Sequence, residues 1–207
     1  MKDWKKLAAQ DSIERTLKAL KANGIEASLA ANAAEAKQKV LAMLPAGAEV
    51  FTMTSVTLEA TGLAREINEP GRYDSIRNKL NTMDPKTQER AMRKLCAAPD
   101  FAFGSVHALT ESGTLLIASN TGSQLPAYAY TAGKVIWVIG AQKIVKDVDE
   151  GLQRIREYVL GLESVRARKA YSLPENWNSF YSKILMFNRE VNPGRAHVVL
   201  VNEALGF

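Results

Sequence analysis

Residues 135–139 read Val-Ile-Trp-Val-Ile (VIWVI) and are closed by Gly140. The run is unbroken, apolar and mostly β-branched. That composition suits a parallel strand buried on both faces rather than a strand with one wet side. Upstream, Phe101–Thr110 and Thr114–Ser119 read as strands, and Glu111-Ser112-Gly113 between them gives a hairpin signal. Gln124–Thr131 reads as a short helix. Downstream, Asp147 with Glu150 forms a capping pair, and Val148, Leu152, Ile155 and Val159 carry a helical apolar stripe. The chain reads as polar and irregular from Gly161 to Ser179. Two closing strands, Ile184–Phe187 and Val198–Val201, flank an Asn192-Pro193-Gly194 turn.

Towards the N-terminus the alternation continues. A helix is expected over residues 3–22, a strand over Ile25–Leu29, and a helix from Asn32 that ends before Pro45. Glu49–Met53 is a strand leading into a helix that runs to about Ile67. Residues 68–79 look irregular before turning helical, and 86–97 form an amphipathic helix. Alternating strands and helices predict an α/β fold: a layered, mostly parallel sheet with helices on both faces and at least one antiparallel insertion. At 207 residues one domain is expected, with residues 1–44 as a helical extension packed on it.

Composition narrows the function. Hydrophobic residues make up 46% and charged residues 24%, a globular balance. The net charge of +5 is dispersed, which favours small anions over nucleic acid. A single cysteine, Cys96, forbids an internal disulfide and points to a reducing, cytoplasmic setting. The first residues lack the apolar segment of a signal peptide, and no run is long enough to span a bilayer, so no membrane association is expected.

Two loops stand out as sites. Thr54-Ser55-Val56-Thr57 follows a strand and opens a helix, so Ser55 and Thr57 can present hydroxyls and free amides to an anion, or simply cap the helix. Ser119-Asn120-Thr121-Gly122-Ser123 has the same plan, with Gly122 allowing close approach. Such loops tend to converge at the carboxyl ends of parallel strands. Arg72, Arg77 and Lys79 could clamp an acidic group or form a solvated surface, and Arg189 and Arg195 share that ambiguity. His107 shares a strand face with Glu111, but four residues of strand hold them roughly 13 Å apart, too far to bond directly. With two distant histidines and one cysteine, no metal site and no cofactor are expected.

GSVHALTESGTLLIAS (104–119) followed by TGSQLPAYAYTAGKVIWVIGAQKIVKDVDEGLQRI (121–155) resembles the central block of the LUD (lactate-utilisation) domain family. TMTSVTLEATGL (52–63) and NREVNPGRAHVVLVNEALGF (188–207) resemble its entry and closing segments. The resemblance implies a fold similar to ribose-5-phosphate isomerase, glucosamine-6-phosphate deaminase and the CoA transferases. It also implies a part in L-lactate utilisation, beside partners that are iron–sulfur oxidoreductase components, with a small anionic metabolite as ligand. The turn Thr110-Glu111-Ser112-Gly113-Thr114 resembles the Glu-Asn-Gly turn that carries the nucleophilic glutamate of CoA transferases. Glu111 is therefore the candidate catalytic residue, with His107, Gly113 and Thr114 as ligand contacts beside it. A stand-alone isomerase or CoA-transferase-like enzyme and a non-catalytic regulatory or assembly module are the alternatives.

Overall fold

The computed structural model describes residues 2–207. Its centre is a six-stranded, all-parallel sheet. The strands are β1 (Glu26–Ala30), β2 (Glu49–Thr52), β3 (Asp74–Ser75), β4 (Phe101–Gly104), β7 (Lys134–Gly140) and β10 (Ala196–Val201), in the spatial order β1-β10-β7-β4-β2-β3. The VIWVI run lies in β7, two strands in from the β1 edge, and residues 135–139 are all buried. Alternate residues of β7 serve opposite faces. Val135, Trp137 and Ile139 join one core; Ile136 and Val138 join the other.

The second of these cores is closed by helices α2 (Ala33–Ala42), α3 (Val56–Ala60) and α4 (Leu63–Asn68), through Val40, Leu58, Leu63 and Ile67. The first core is closed by α1 (Gln10–Ala22), α5 (Ile76–Asn81) and a second, four-stranded sheet. That sheet comprises β5 (Ala108–Thr110), β6 (Leu115–Ser119), β8 (Ile144–Val145) and β9 (Lys183–Phe187), in the order β8-β5-β6-β9, with β5–β6 and β6–β9 antiparallel. Its outer face packs Ala108 and Leu116 against Trp4, Val145 and Ile155. Helix α6 (Glu89–Ala97) buries no residue fully. No helix among the described residues is long and apolar enough to cross a membrane.

Several local expectations change. The stretch 101–110 is not one strand. The chain leaves the main sheet at Gly104 and joins the second at His107, whose amide donates to Leu116 O at 2.9 Å. Both halves are apolar, so periodicity alone hides the crossing. At Gly104 a Cβ would overlap the Tyr128 hydroxyl, so the crossing point requires glycine. Beyond Gly161 the helix continues: α7 (Val148–Arg154), a π-helical stretch at Ile155–Val159 and α8 (Leu160–Tyr171) follow one another without a break. The polar outer face of α8 had masked it. Helix α1 begins at Gln10 rather than residue 3, and Trp4 before it is buried. The helix expected over 56–67 is interrupted at Gly62, which holds φ 70°. Within 68–79, Ser75 ends β3 and caps α5 by accepting from Asn78 N. The N-terminal 44 residues supply the edge strand β1, paired in parallel with β10.

Candidate functional site

The chain runs from β2 outward to β3 and then returns across β2 to β4. The direction of winding therefore reverses between β2 and β4, and ligands of such sheets bind beyond the carboxyl ends at this point. A pocket lies there. Its walls come from the segment after β2 (Met53–Thr57), the crossing after β4 (Ser105–His107), Lys143 after β7, and Phe207 beyond β10; Glu163 and Arg166 reach it from α8. Counted out to its open mouth, the space is about 490 Å³.

Lys143 is the centre of this construction. Only 1% of it is exposed. Its Nζ has four acceptors within reach for its three hydrogens: Thr57 Oγ1 (3.0 Å), Ser105 Oγ (3.1 Å), Val106 O (3.1 Å) and Phe207 O (3.0 Å). One side chain thus ties the ends of β2, β4 and β10 to that of β7. Burial, with the positive charge of Arg154 as a second cause, pulls its pKa well below the ordinary lysine value. The four oxygens oppose that pull by favouring the ammonium. Lys143 is not among the site residues expected from the sequence. A lysine directly after a fully buried parallel strand was the available signal.

Arg154 is fully buried beneath the pocket wall. NH1 donates to His107 O at 2.5 Å, and the guanidinium stacks on Tyr158 at 5.1 Å, while Nε and NH2 have no protein partner. Burial lowers its pKa to about 10, so it stays charged at neutral pH. Neither Lys143 nor Arg154 has an Asp or Glu side chain within ion-pair distance among the described residues.

His107 also lines the pocket. Its Nδ1 accepts from Ala118 N at 3.0 Å, which puts the proton of the neutral ring on Nε2. Burial, then the charges of Lys143 and Arg154, bring its pKa down to about 3. His107 is therefore neutral at physiological pH, with its Nε2–H as the remaining ring donor.

The other sequence candidates fall in several places. Ser55 and Thr57 line the pocket; Ser55 also caps α3 by accepting from Leu58 N, and Thr57 donates to Leu205 O. Residues 119–123 end β6, in the second sheet, and do not line the pocket; Gln124 after them does. Ser119 Oγ accepts from Gly122 N and donates to Gln124, and Asn120 donates to Phe180 O. Thr121 and Ser123 are exposed and bond one another. Arg72 pairs with Glu66, and Lys79 pairs with Asp74. Arg77 donates to Thr52 O at 2.6 Å and lies over Phe51. Arg195 forms a buried ion pair with Glu190, at 2.8 Å.

Glu111 also lies outside the pocket lining. Its carboxylate accepts from Ser12 and from Arg15 (3.1 Å), both on α1. Gly113 (φ 85°) packs against the end of α1, where a Cβ would crowd Asn23 and Leu20. Thr114 is buried, its amide donating to Thr110 Oγ1. The turn is a docking point for α1. At the opposite end of the sheet, His197 sits between Ser28 Oγ (3.1 Å) and Glu26 Oε2 (3.2 Å), with both ring nitrogens engaged.

The sequence pattern of the LUD domain matches residues 13–201. This chain belongs to the LUD domain family. The family is associated with lactate utilisation. The fold of this LUD protein is similar to that of a DUF162 family protein from Deinococcus radiodurans, whose crystal structure superposes with a TM-score of 0.57 at 14% identity. The similarity covers 95% of this chain and 99% of the other. No curated protein matches it.

Proposed function

We propose that the pocket binds a small anionic metabolite, and that through it this LUD protein serves L-lactate utilisation or related organic-acid metabolism. The observation that carries this reading is the pair of buried basic side chains, Lys143 and Arg154, with no Asp or Glu side chain within ion-pair distance among the described residues. Buried charges are ordinarily paired, because an unpaired one costs several kcal/mol. An anion in the pocket completes the missing half of the arrangement. Ser55, Ser105 and the Nε2–H of His107 add neutral donors around it. With a single cysteine, Cys96, the chain cannot by itself supply the thiolates of an iron–sulfur cluster, so redox chemistry is assigned to partner components.

Thermal-shift measurements with L-lactate, pyruvate, sugar phosphates and CoA esters test the reading. The small acids should raise the melting temperature, by the equivalent of about 2.7 kcal/mol at one hundred times Kd. No shift with any acid, or a shift that persists undiminished in Lys143→Met, would count against it.

A further inference from the structure

Glu163 is the one acidic residue lining the pocket among the described residues. It does not face Lys143 or Arg154 as an ion-pair partner. Instead its two oxygens receive the fork of Arg166, Nε to Oε2 and NH2 to Oε1, each at 2.7 Å. This two-point geometry is how a guanidinium holds any planar carboxylate. We propose that Arg166 is the seat for the carboxylate of the ligand, and that Glu163 occupies the seat until the ligand displaces it. The proposal rests on the pocket being an anion site.

Three features favour exchange over a fixed structural pair. The side chains are 22% and 32% exposed, so water reaches both partners and can solvate the carboxylate as it leaves. The Glu190–Arg195 pair, at 4% and 8%, is the contrast: there Arg195 also donates to Ala132 O and Tyr128 O, and the pair is locked. Glu163 and Arg166 are three residues apart on α8, so the displaced carboxylate stays close and re-forms the pair when the ligand leaves. Finally, the Arg166 guanidinium lies over the Tyr171 ring at 5.7 Å, an aromatic surface against which the fork can be held as its acid partner changes. The ligand class that follows is a small planar carboxylic acid, for which Glu163 is the internal stand-in. In the absence of ligand, the pair lowers apparent affinity by the fraction of molecules in which the seat is taken.

Isothermal titration with pyruvate tests this on the full chain, using Glu163→Gln, Arg166→Lys and the double variant, with melting curves to confirm folding. Glu163→Gln keeps the shape and removes the charge, and should tighten binding about fivefold. Arg166→Lys loses the fork and should weaken binding about tenfold. In the Arg166→Lys background, Glu163→Gln should add nothing. An equal gain in both backgrounds would reduce Glu163 to a simple repulsive charge and overturn the exchange, as would no gain in either. If pyruvate binds the wild type but Arg166→Lys is unaffected, the seat is elsewhere and the pocket reading stands. If pyruvate and L-lactate bind no variant, the pocket reading and the exchange fall together.

Discussion

Lys143 and Thr57 lie 86 positions apart in the chain, and the lysine Nζ donates to the threonine Oγ1 at 3.0 Å. That bond joins the segment after β7 to the opening of α3. Thr57 passes the connection on by donating to Leu205 O at 3.1 Å. The pocket is thus held by a lysine that has oxygen partners on three segments and no Asp or Glu side chain among them.

Replacing Lys143 by methionine should separate charge from packing. The apolar stem is kept and the cost of burying an ammonium disappears. Four oxygens lose their donor, though those of Thr57 and Ser105 are hydroxyls that can turn to other partners. A loss of about 1–3 kcal/mol in urea unfolding is expected, with the native fold kept. Affinity for small acids should be abolished. Unchanged affinity in a folded variant would contradict the role given to the charge.

His107 supplies a pH signature. Its folded-state pKa of about 3 lies below the unfolded value of 6.5, so the unfolded chain binds more protons between them. Its contribution to stability is complete above about pH 6.5 and is lost as pH falls towards 3. The slope should reach about 1.4 kcal/mol per pH unit at most. Denaturant unfolding of wild type and His107→Gln between pH 7 and about 4 checks this. The wild type should lose more stability on acidification than the variant; parallel curves would show that His107 does not carry the shift.

Glu111 is predicted to act on stability. Glu111→Ala removes the acceptor for Ser12 and Arg15 and should cost about 1–2 kcal/mol, with Arg15→Ala coupled to it in a double-mutant cycle. Ligand affinity should be unchanged. A nucleophilic Glu111 gives the opposite result: Glu111→Gln folds normally and loses acyl-CoA-dependent turnover.

The parts of the fold legible in sequence were those with strong periodicity or a capping pair. The VIWVI strand, the Asn32 cap that accepts from Glu35 N, and the Asp147 cap that accepts from Glu150 N are all present. The crossing at Ser105–His107 was not legible, because an apolar strand leaving one sheet for another has no local signature. Of the site, Ser55 and Thr57 were named for their place after a strand and His107 as a strand residue near the Glu111 turn, and all three line the pocket. Lys143, Arg154, Glu163 and Arg166 were missed. Their roles depend on which helix and strand ends meet, and a basic residue in an amphipathic segment reads as a solvated one until burial is known. The 119–123 loop had the right local pattern, but in the other sheet.

A crystal structure grown with pyruvate tests the central claim most directly. Electron density for the acid is expected within the pocket bounded by Lys143, His107 and Arg166, with the Glu163 carboxylate released from Arg166. Density confined to the exposed Arg72 or to the surface around His197, with this pocket holding only water at saturating pyruvate, would contradict this.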